Sequence, residues 1–424
     1  MKTTAESKTS VSELAIFGSK PAFDDLVYVG QPTIPNRKEL MCRIEGVLDR
    51  KWLSNAGPCV NELQSRLAEI LGVKHCVVMN NGTTALEIVT RAANLEGEVI
   101  VPSFTFIATP HSLQWQHITP VFCDIDPKTH NIDPAAVEKL ITPNTTAILA
   151  VHLWGRPCDV EALQEIANRH NLKLLFDAAH AFSCSHQGKL IGGFGDAEVF
   201  SFHATKFFHT LEGGAVATND GELARKLMLM KNFGFTGYDR VEHVGRNGKM
   251  NEISAAVGLV GLDHLADLTE SNRRMHAEYR TLLGGTPGIE LVDYNPDEKN
   301  NYQYIVVEID EDVLGLSRDE VLAILHAENV LARRYFYPGC HRMEPYRSYF
   351  PNAGLILPNT EWLAGRVLIL PTGTSVTLQD IRTICGIIKF TADNKVEIKR
   401  HAEMQLRLQG PRFGETGVGS ETIL

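Results

Sequence analysis

The sequence predicts an α/β fold: a large domain on a mainly parallel sheet, followed by a smaller C-terminal α+β domain. Three observations carry that expectation. Between about residues 60 and 230, short apolar runs alternate with amphipathic stretches. Strands buried on both faces read as continuous apolar runs, and their alternation with helices implies βαβ units. A long helical tract over about 252–284 then passes into "GGTPGIELVDYNPDEKNNYQ", where turn residues reset the pattern. The chain has 424 residues, more than one hydrophobic core usually organises.

Residues 1–30 read as an N-terminal extension and 31–284 as the large domain. Its strand–helix alternation begins with "HCVVMN" and "TTALEIVTRAANL", then "GEVIVPS" and "TPHSLQWQH", then "TAILAVHLW" and "CDVEALQEIANRHN". In the last of these helices Asp159 stands where an N-cap belongs, and Val160, Leu163 and Ile166 give an apolar face at helical spacing. "LKLLFDAAHA", "AEVFSF" and the segment after "LEGG" complete the strands. The small domain, 285–395, offers a strand at 302–309, a helix opened by a Ser317/Glu320 capping box, the strand "RVLILPT" and a helix from "TLQD". From 396 to 424 the sequence is a polar tail, with its last dozen or so residues expected to be disordered.

Composition excludes several functions. Lys and Arg number 41 against 51 Asp and Glu, a net charge of −10, which repels polyphosphate and anionic surfaces, so neither nucleic acid nor membrane is an expected partner. Eight cysteines are scattered with no C-x-x-C pair, arguing against a disulfide framework or a structural zinc. The N-terminus lacks a signal peptide's apolar core, and no run of about 18 apolar residues appears, so a cytoplasmic protein is expected.

In such sheets ligands bind beyond the carboxyl ends of the strands. Three features fall there. "NNGTTALEI" follows a strand and opens a helix, so the amides near Gly82, Thr83 and Thr84 face a place for a phosphate, although ordinary capping reads the same way. No G-x-x-x-x-G-K-[ST] nucleotide loop is present. Asp177 ends the strand "LKLLFD", where a carboxylate needs a partner, a ligand or a capping role. Lys206 lies beyond "AEVFSF" and before the glycine pair Gly213–Gly214. A single lysine there reads as a surface cation; a lysine, an acid and a phosphate cradle at the ends of one sheet read as the requirements of pyridoxal 5′-phosphate (PLP).

At this point the chain resembles the fold-type I, PLP-dependent aminotransferases that aminate nucleotide-linked sugars, the DegT/DnrJ/EryC1/StrS family. The likeness runs from about Gly30 to Ala392 through "KWLSNAGPCVNELQSRLAEILGVKH", "VPSFTFIATPHSLQW", "VHLWGRPCD", "FDAAHAF", "GDAEVFSFHATKFFHTLEGGAVATND", "NGKMNEISAAVGL" and "YFYPGCHRMEPYR". Within the family it is most similar to enzymes that convert dTDP-4-keto-6-deoxyglucose to the 4-amino-4,6-dideoxy sugar, chiefly through "SFHATK", "EGGA" and "HLWGRPCD".

The resemblance implies roles. Lys206 carries the cofactor covalently and then shuttles a proton; Asp177 pairs with the pyridine nitrogen; His180 approaches the ring hydroxyl; Phe106 stacks on the ring. Gly82, Thr83 and Ser201 bind the phosphate, and Asn247 reaches the phosphate of a neighbouring subunit, making the site a property of a homodimer. Asn81 stands where the family usually has serine, which puts a side-chain phosphate contact there in doubt. Trp154, Arg156, His203, Tyr335, Tyr337 and His341 are candidates for the sugar site. His203 and His209 also read as histidines packed among Phe202, Phe207 and Phe208, and Glu212 as a structural acid at a turn. L-Glutamate is the expected amino donor.

Rival readings are a 3-aminotransferase of the same family and, from another class, a metal-dependent hydrolase using His180, Asp177, His152 and His203, which no recognised ligand spacing supports. The family's dehydratases place histidine where this chain has Lys206. A non-catalytic sensor on the same fold is disfavoured by Lys206 and Asp177 together.

Overall fold

A computed structural model describes residues 8–409, with side chains for residues 8–404. Seven strands form its main sheet: β1 (His75–Met79), β2 (Glu98–Pro102), β3 (Thr119–Cys123), β4 (Thr145–Val151), β5 (Lys173–Asp177), β6 (Ala197–Ser201) and β7 (Gly214–Thr218). Their order is β1-β7-β6-β5-β4-β2-β3. β7 runs antiparallel to both neighbours, and the other pairings are parallel.

Both faces of this sheet are covered, which is why its strands are apolar throughout. In β1, Val78 joins a cluster with Leu63, Leu67 and Leu259, while adjacent Val77 joins Ile88, Val89 and Leu227 on the other face. That is the two-residue alternation of a strand. The helices follow from local chemistry: Asp159 accepts from the Ala162 amide at 3.0 Å to open Val160–His170, as its sequence indicates. β3 escaped the sequence reading because "TPVFC" carries a proline and an exposed threonine; at the sheet edge both are tolerated.

The tract expected as one helix is two, α1 (Glu252–Asp263) and α2 (Leu265–Leu283), broken at His264, whose φ of −113° leaves helical geometry. Three antiparallel strands follow in the order β8 (Ile289–Leu291), β9 (Ile305–Ile309) and β10 (Val367–Leu370). The Ser317/Glu320 capping box forms as expected at the start of Arg318–Ala327. These elements share an apolar cluster with Tyr279 and Leu283 of α2 and with Val11, Leu14 and Phe23 from the N-terminus.

The N-terminal stretch is fastened there by buried Glu328, whose carboxylate accepts from the amides of Ala15 (2.8 Å) and Ala22 (2.6 Å) and lies 3.1 Å from the Lys8 amine. Val27–Tyr28 pairs in parallel with Val330–Leu331. The stretch expected as a polar tail from 396 begins as a helix, Lys395–Gln409, with Ile398 buried in the same cluster. Its position against that cluster explains the helix. The expected disorder concerned residues outside those described. Among the described residues no helix is long and apolar enough to cross a membrane.

Candidate active site

The sheet register brings one set of strand ends together. Asp177 pairs with Val151 on one side and Val199 on the other, and Gly214 pairs with both Met79 and Ser201. The ends of β1, β4, β5 and β6 and the start of β7 therefore lie along one edge.

Beyond β1 the helix Gly82–Ala92 opens with Asn81 as N-cap, its Oδ1 accepting from the Thr84 amide at 2.7 Å. This occupies the Asn81 side chain in capping, in line with the doubt about a phosphate contact there. A Cβ on Gly82 would stand 3.0 Å from Ser201 Cβ, so helix start and β6 end are in contact. A Cβ on Gly214 would come within 2.6–2.7 Å of the Asn81–Gly82 backbone, which explains the second glycine of the pair. Gly82, Thr83 and Ser201 thus share one helix N-terminus, where backbone N–H groups and the helix dipole favour an anion.

Asp177 is buried, and burial pushes its carboxyl above the ordinary range. Opposing that, Oδ1 accepts from the Ala179 amide (3.1 Å), Oδ2 from the Thr109 hydroxyl (2.9 Å), and Lys206 adds positive charge. A cation in front of it restores the ionised form. Lys206 is half-buried; desolvation brings its amine down to about 8, against the pull of Asp177 and Tyr335. Its Nζ donates to the Tyr304 hydroxyl at 3.0 Å. Thr109 and Tyr304 escaped the sequence reading. Thr109 precedes Pro110 in a short helix, with no sequence signal of its partner, and Tyr304 stands just before β9, 98 residues from Lys206.

His180 is buried, its pKa driven well below the usual value by desolvation and then by Lys206. A neutral imidazole results. The backbone N–H of Trp154 donates to its Nδ1 at 3.3 Å, which leaves Nε2 to carry the proton. Phe106 is 57% exposed, its ring centroid 6.5 Å from buried Phe336, which stacks on His180 and Trp154.

The sugar-site candidates divide. Trp154 is fully enclosed behind His180, its indole N–H donating to His130 at 3.1 Å, so it has no surface for a sugar. His341 is equally closed off: Nδ1 meets Ser103 Oγ and Nε2 meets Glu361 Oε1, each at 2.7 Å, pinning its segment beyond β2. Arg156 donates to the Lys128 carbonyl at 3.1 Å, and Tyr337 lies between the guanidiniums of Arg318 and Arg334, contacts away from Lys206 or Asp177. Tyr335 does lie within electrostatic reach of Lys206.

His203, expected to pack among the phenylalanines, has a side chain 46% exposed beside Thr205 and Glu212; the exposed loop position explains it. His209 is buried and meets the Thr33 carbonyl at 2.8 Å, while Glu212 is exposed. Asn247 is exposed, and its carbonyl accepts from the Asn80 side chain of its own chain at 3.4 Å. Gly248 also lies against Thr84. Chain distance alone is thus no argument for a neighbour's phosphate, because the fold already brings this loop to its own cradle.

His152, invoked for a metal, is buried against Glu198 at 3.0 Å. Among the described residues no three His, Cys, Asp or Glu side chains converge to hold a metal ion.

Residues 35–389 match the model of the DegT/DnrJ/EryC1/StrS aminotransferase family. The chain belongs to that family. Among relatives of this aminotransferase is the dTDP-4-amino-4,6-dideoxy-D-glucose transaminase of Escherichia coli, 38% identical over 368 residues, 86% of this chain and 98% of the relative. The GDP-perosamine synthase of Caulobacter vibrioides is 36% identical over 351 residues, covering 80% and 92%. A crystal structure of DesI in the presence of its TDP-sugar product superposes with a TM-score of 0.88 at 46% identity, covering 93% of this chain and all of that one.

Aminotransferases of this family depend on PLP. The residues present fit it: an amine lowered to about 8, a buried carboxylate whose two oxygens are already held, a helix N-terminus that a Cβ at Gly82 would crowd, and an exposed aromatic ring at Phe106.

Proposed function

We propose that this aminotransferase transfers the amino group of L-glutamate to C4 of a nucleotide-linked 4-keto-6-deoxyhexose, dTDP-4-keto-6-deoxyglucose, in a homodimer of the cytoplasm. The observation that carries the chemistry is Lys206 set within electrostatic reach of Asp177 at the ends of one sheet. The relative from Escherichia coli, matched over 98% of its length, supports the substrate. Free cysteines at all eight positions support the compartment.

When bound, PLP supplies an electron sink for the negative charge left when a C–H bond beside nitrogen breaks. The chain's residues do the rest. Gly82, Thr83 and Ser201 would hold the phosphate; Asp177, fixed by Thr109 and the Ala179 amide, would keep a protonated ring nitrogen charged; His180, neutral, would offer its Nε2–H to the ring oxygen; and Phe106 would cover the ring. Lys206 takes and returns the proton, a role suited to an amine that desolvation brings down to about 8, close to neutral pH. His203 and Tyr335 are the remaining candidates for sugar contact.

Incubation with dTDP-4-keto-6-deoxyglucose and L-glutamate should yield the 4-amino sugar, identified by NMR of the product. Turnover of the 3-keto isomer in preference would transfer the assignment to C3.

Asn247 is proposed to hold the partner subunit's phosphate. Its exposed side chain supports this, since the backbone alone is tied to Asn80. Losing one hydrogen bond to a charged group should weaken cofactor binding by about 1.5–3 kcal/mol. Mixing Asn247→Ala with Lys206→Ala subunits at limiting cofactor tests the arrangement. Across subunits, each mixed dimer has one intact site and recovers towards half the wild-type activity. Within one subunit, every site carries a defect, and no recovery from demonstrated mixed dimers would end the proposal.

A further inference from the structure

The Lys206 amine is aimed at a group 98 residues further along the chain. Its Nζ donates to the Tyr304 hydroxyl at 3.0 Å and lies 5.6 Å from that ring's centroid. Tyr304 immediately precedes β9, on a segment clipped to the loop after Asp177. Asn301 Nδ2 donates to the carbonyls of His180 (2.8 Å) and Phe182 (3.0 Å), and its Oδ1 accepts from the Gln303 amide (3.0 Å). The Tyr294 hydroxyl lies between the carbonyls of Trp154 (3.2 Å) and Tyr304 (3.1 Å). The Tyr304 ring is itself packed 4.5 Å from His180 and 5.4 Å, edge-on, from Trp154. A buried side chain packed against two rings offers its oxygen to the lysine at little ordering cost at the moment of reaction. Burial raises the phenol's pKa, so it stays neutral, with lone pairs for the amine and one proton for another acceptor.

We infer that Tyr304 is a catalytic residue: its hydroxyl oxygen receives the Lys206 amine whenever that amine is released, and holds it in position to move a proton. This rests on Lys206 being the covalent lysine. The proton that Lys206 takes from one carbon it gives back at another, and the Tyr304 proton is not consumed. The hydroxyl accepts from the amine both before and after it gains the proton, and its bond to the ammonium is the stronger of the two. It therefore favours the charged form while keeping the nitrogen in place.

The test is Tyr304→Phe, which removes one oxygen and keeps the ring against His180 and Trp154. In the cofactor-free protein, competitive acetylation of Lys206 against pH should give a midpoint near 8 for the native chain, where desolvation brings the amine. Loss of the acceptor should lower that midpoint by about one unit, a tenfold change in the protonation constant. In the holoenzyme kcat should fall about 10- to 100-fold, the loss expected of one hydrogen bond to a charged group, with both KM values within about twofold. Circular dichroism and borohydride reduction accompany these measurements. If the label lands on a different lysine, the Lys206 assignment fails and Tyr304 falls with it. If the label is on Lys206 while the midpoint and kcat of Tyr304→Phe match wild type, the Tyr304 role alone is overturned.

Discussion

Lys206→Ala should abolish amino transfer, with a fall of at least about 10⁴-fold, because one residue is proposed to supply both the covalent attachment and the proton shuttle. Borohydride reduction of the holoenzyme should fix the cofactor on the peptide of Lys206. The serious competitor is Lys231, whose amine desolvation also brings down to about 8. A lowered pKa therefore does not choose between them, and geometry must. The Lys231 amine is buried, donating to Gln64 Oε1 at 2.9 Å and the Val78 carbonyl at 3.1 Å. It braces β1 from one side. Lys249 donates to Asn232 and lies over Phe233, and Lys189 is exposed. Lys206 is placed with Asp177, Tyr304 and Tyr335. Label on Lys231, Lys189 or Lys249, or turnover within tenfold of wild type in Lys206→Ala, would overturn the site.

Asp177→Ala should retain some cofactor through the phosphate cradle and still lose about 10²- to 10⁴-fold in turnover. Removing one partner of a buried ion pair costs about 3–5 kcal/mol, and in the proposed site the partner left behind would be the ring nitrogen whose charge makes the electron sink effective. Asp177→Asn sharpens the point. The amide keeps the shape and an acceptor for Thr109 but carries no charge, so a charge role predicts a loss nearly as deep, whereas a packing role predicts near-normal rates. Turnover and cofactor content measured together on both variants decide it, and a near-normal rate in either ends the role.

The strands, and the places of Asp177 at a strand end and Gly82 at a helix start, were legible because each depends on local sequence. An apolar run closed by Asp177 announces a strand end, and Gly82 ahead of two threonines announces a helix start; the register then carries them to one edge. The contacts that refine the site depend on residues far apart. Nothing near Tyr304 signals a lysine 98 positions earlier, and nothing near Thr109 signals Asp177. Two of the sugar candidates proved to be enclosed, for the reverse reason. Trp154 and His341 look like binding residues by type, and the same donors and acceptors that suggest a ligand are satisfied inside the fold, by His130 for one and by Ser103 and Glu361 for the other.

The antiparallel strand β7 also sets a timetable for biosynthesis. β1 has a single neighbour in the sheet, and that neighbour is β7. As the chain leaves the ribosome, the apolar segment His75–Met79 and the phosphate cradle that follows it wait, unpaired, until residue 218 has been made and released. At translation speeds of 5–20 residues per second that delay is on the order of ten seconds. Nascent chains stalled before β7 should therefore be unable to capture PLP and should be strong clients for chaperones that recognise exposed apolar strands.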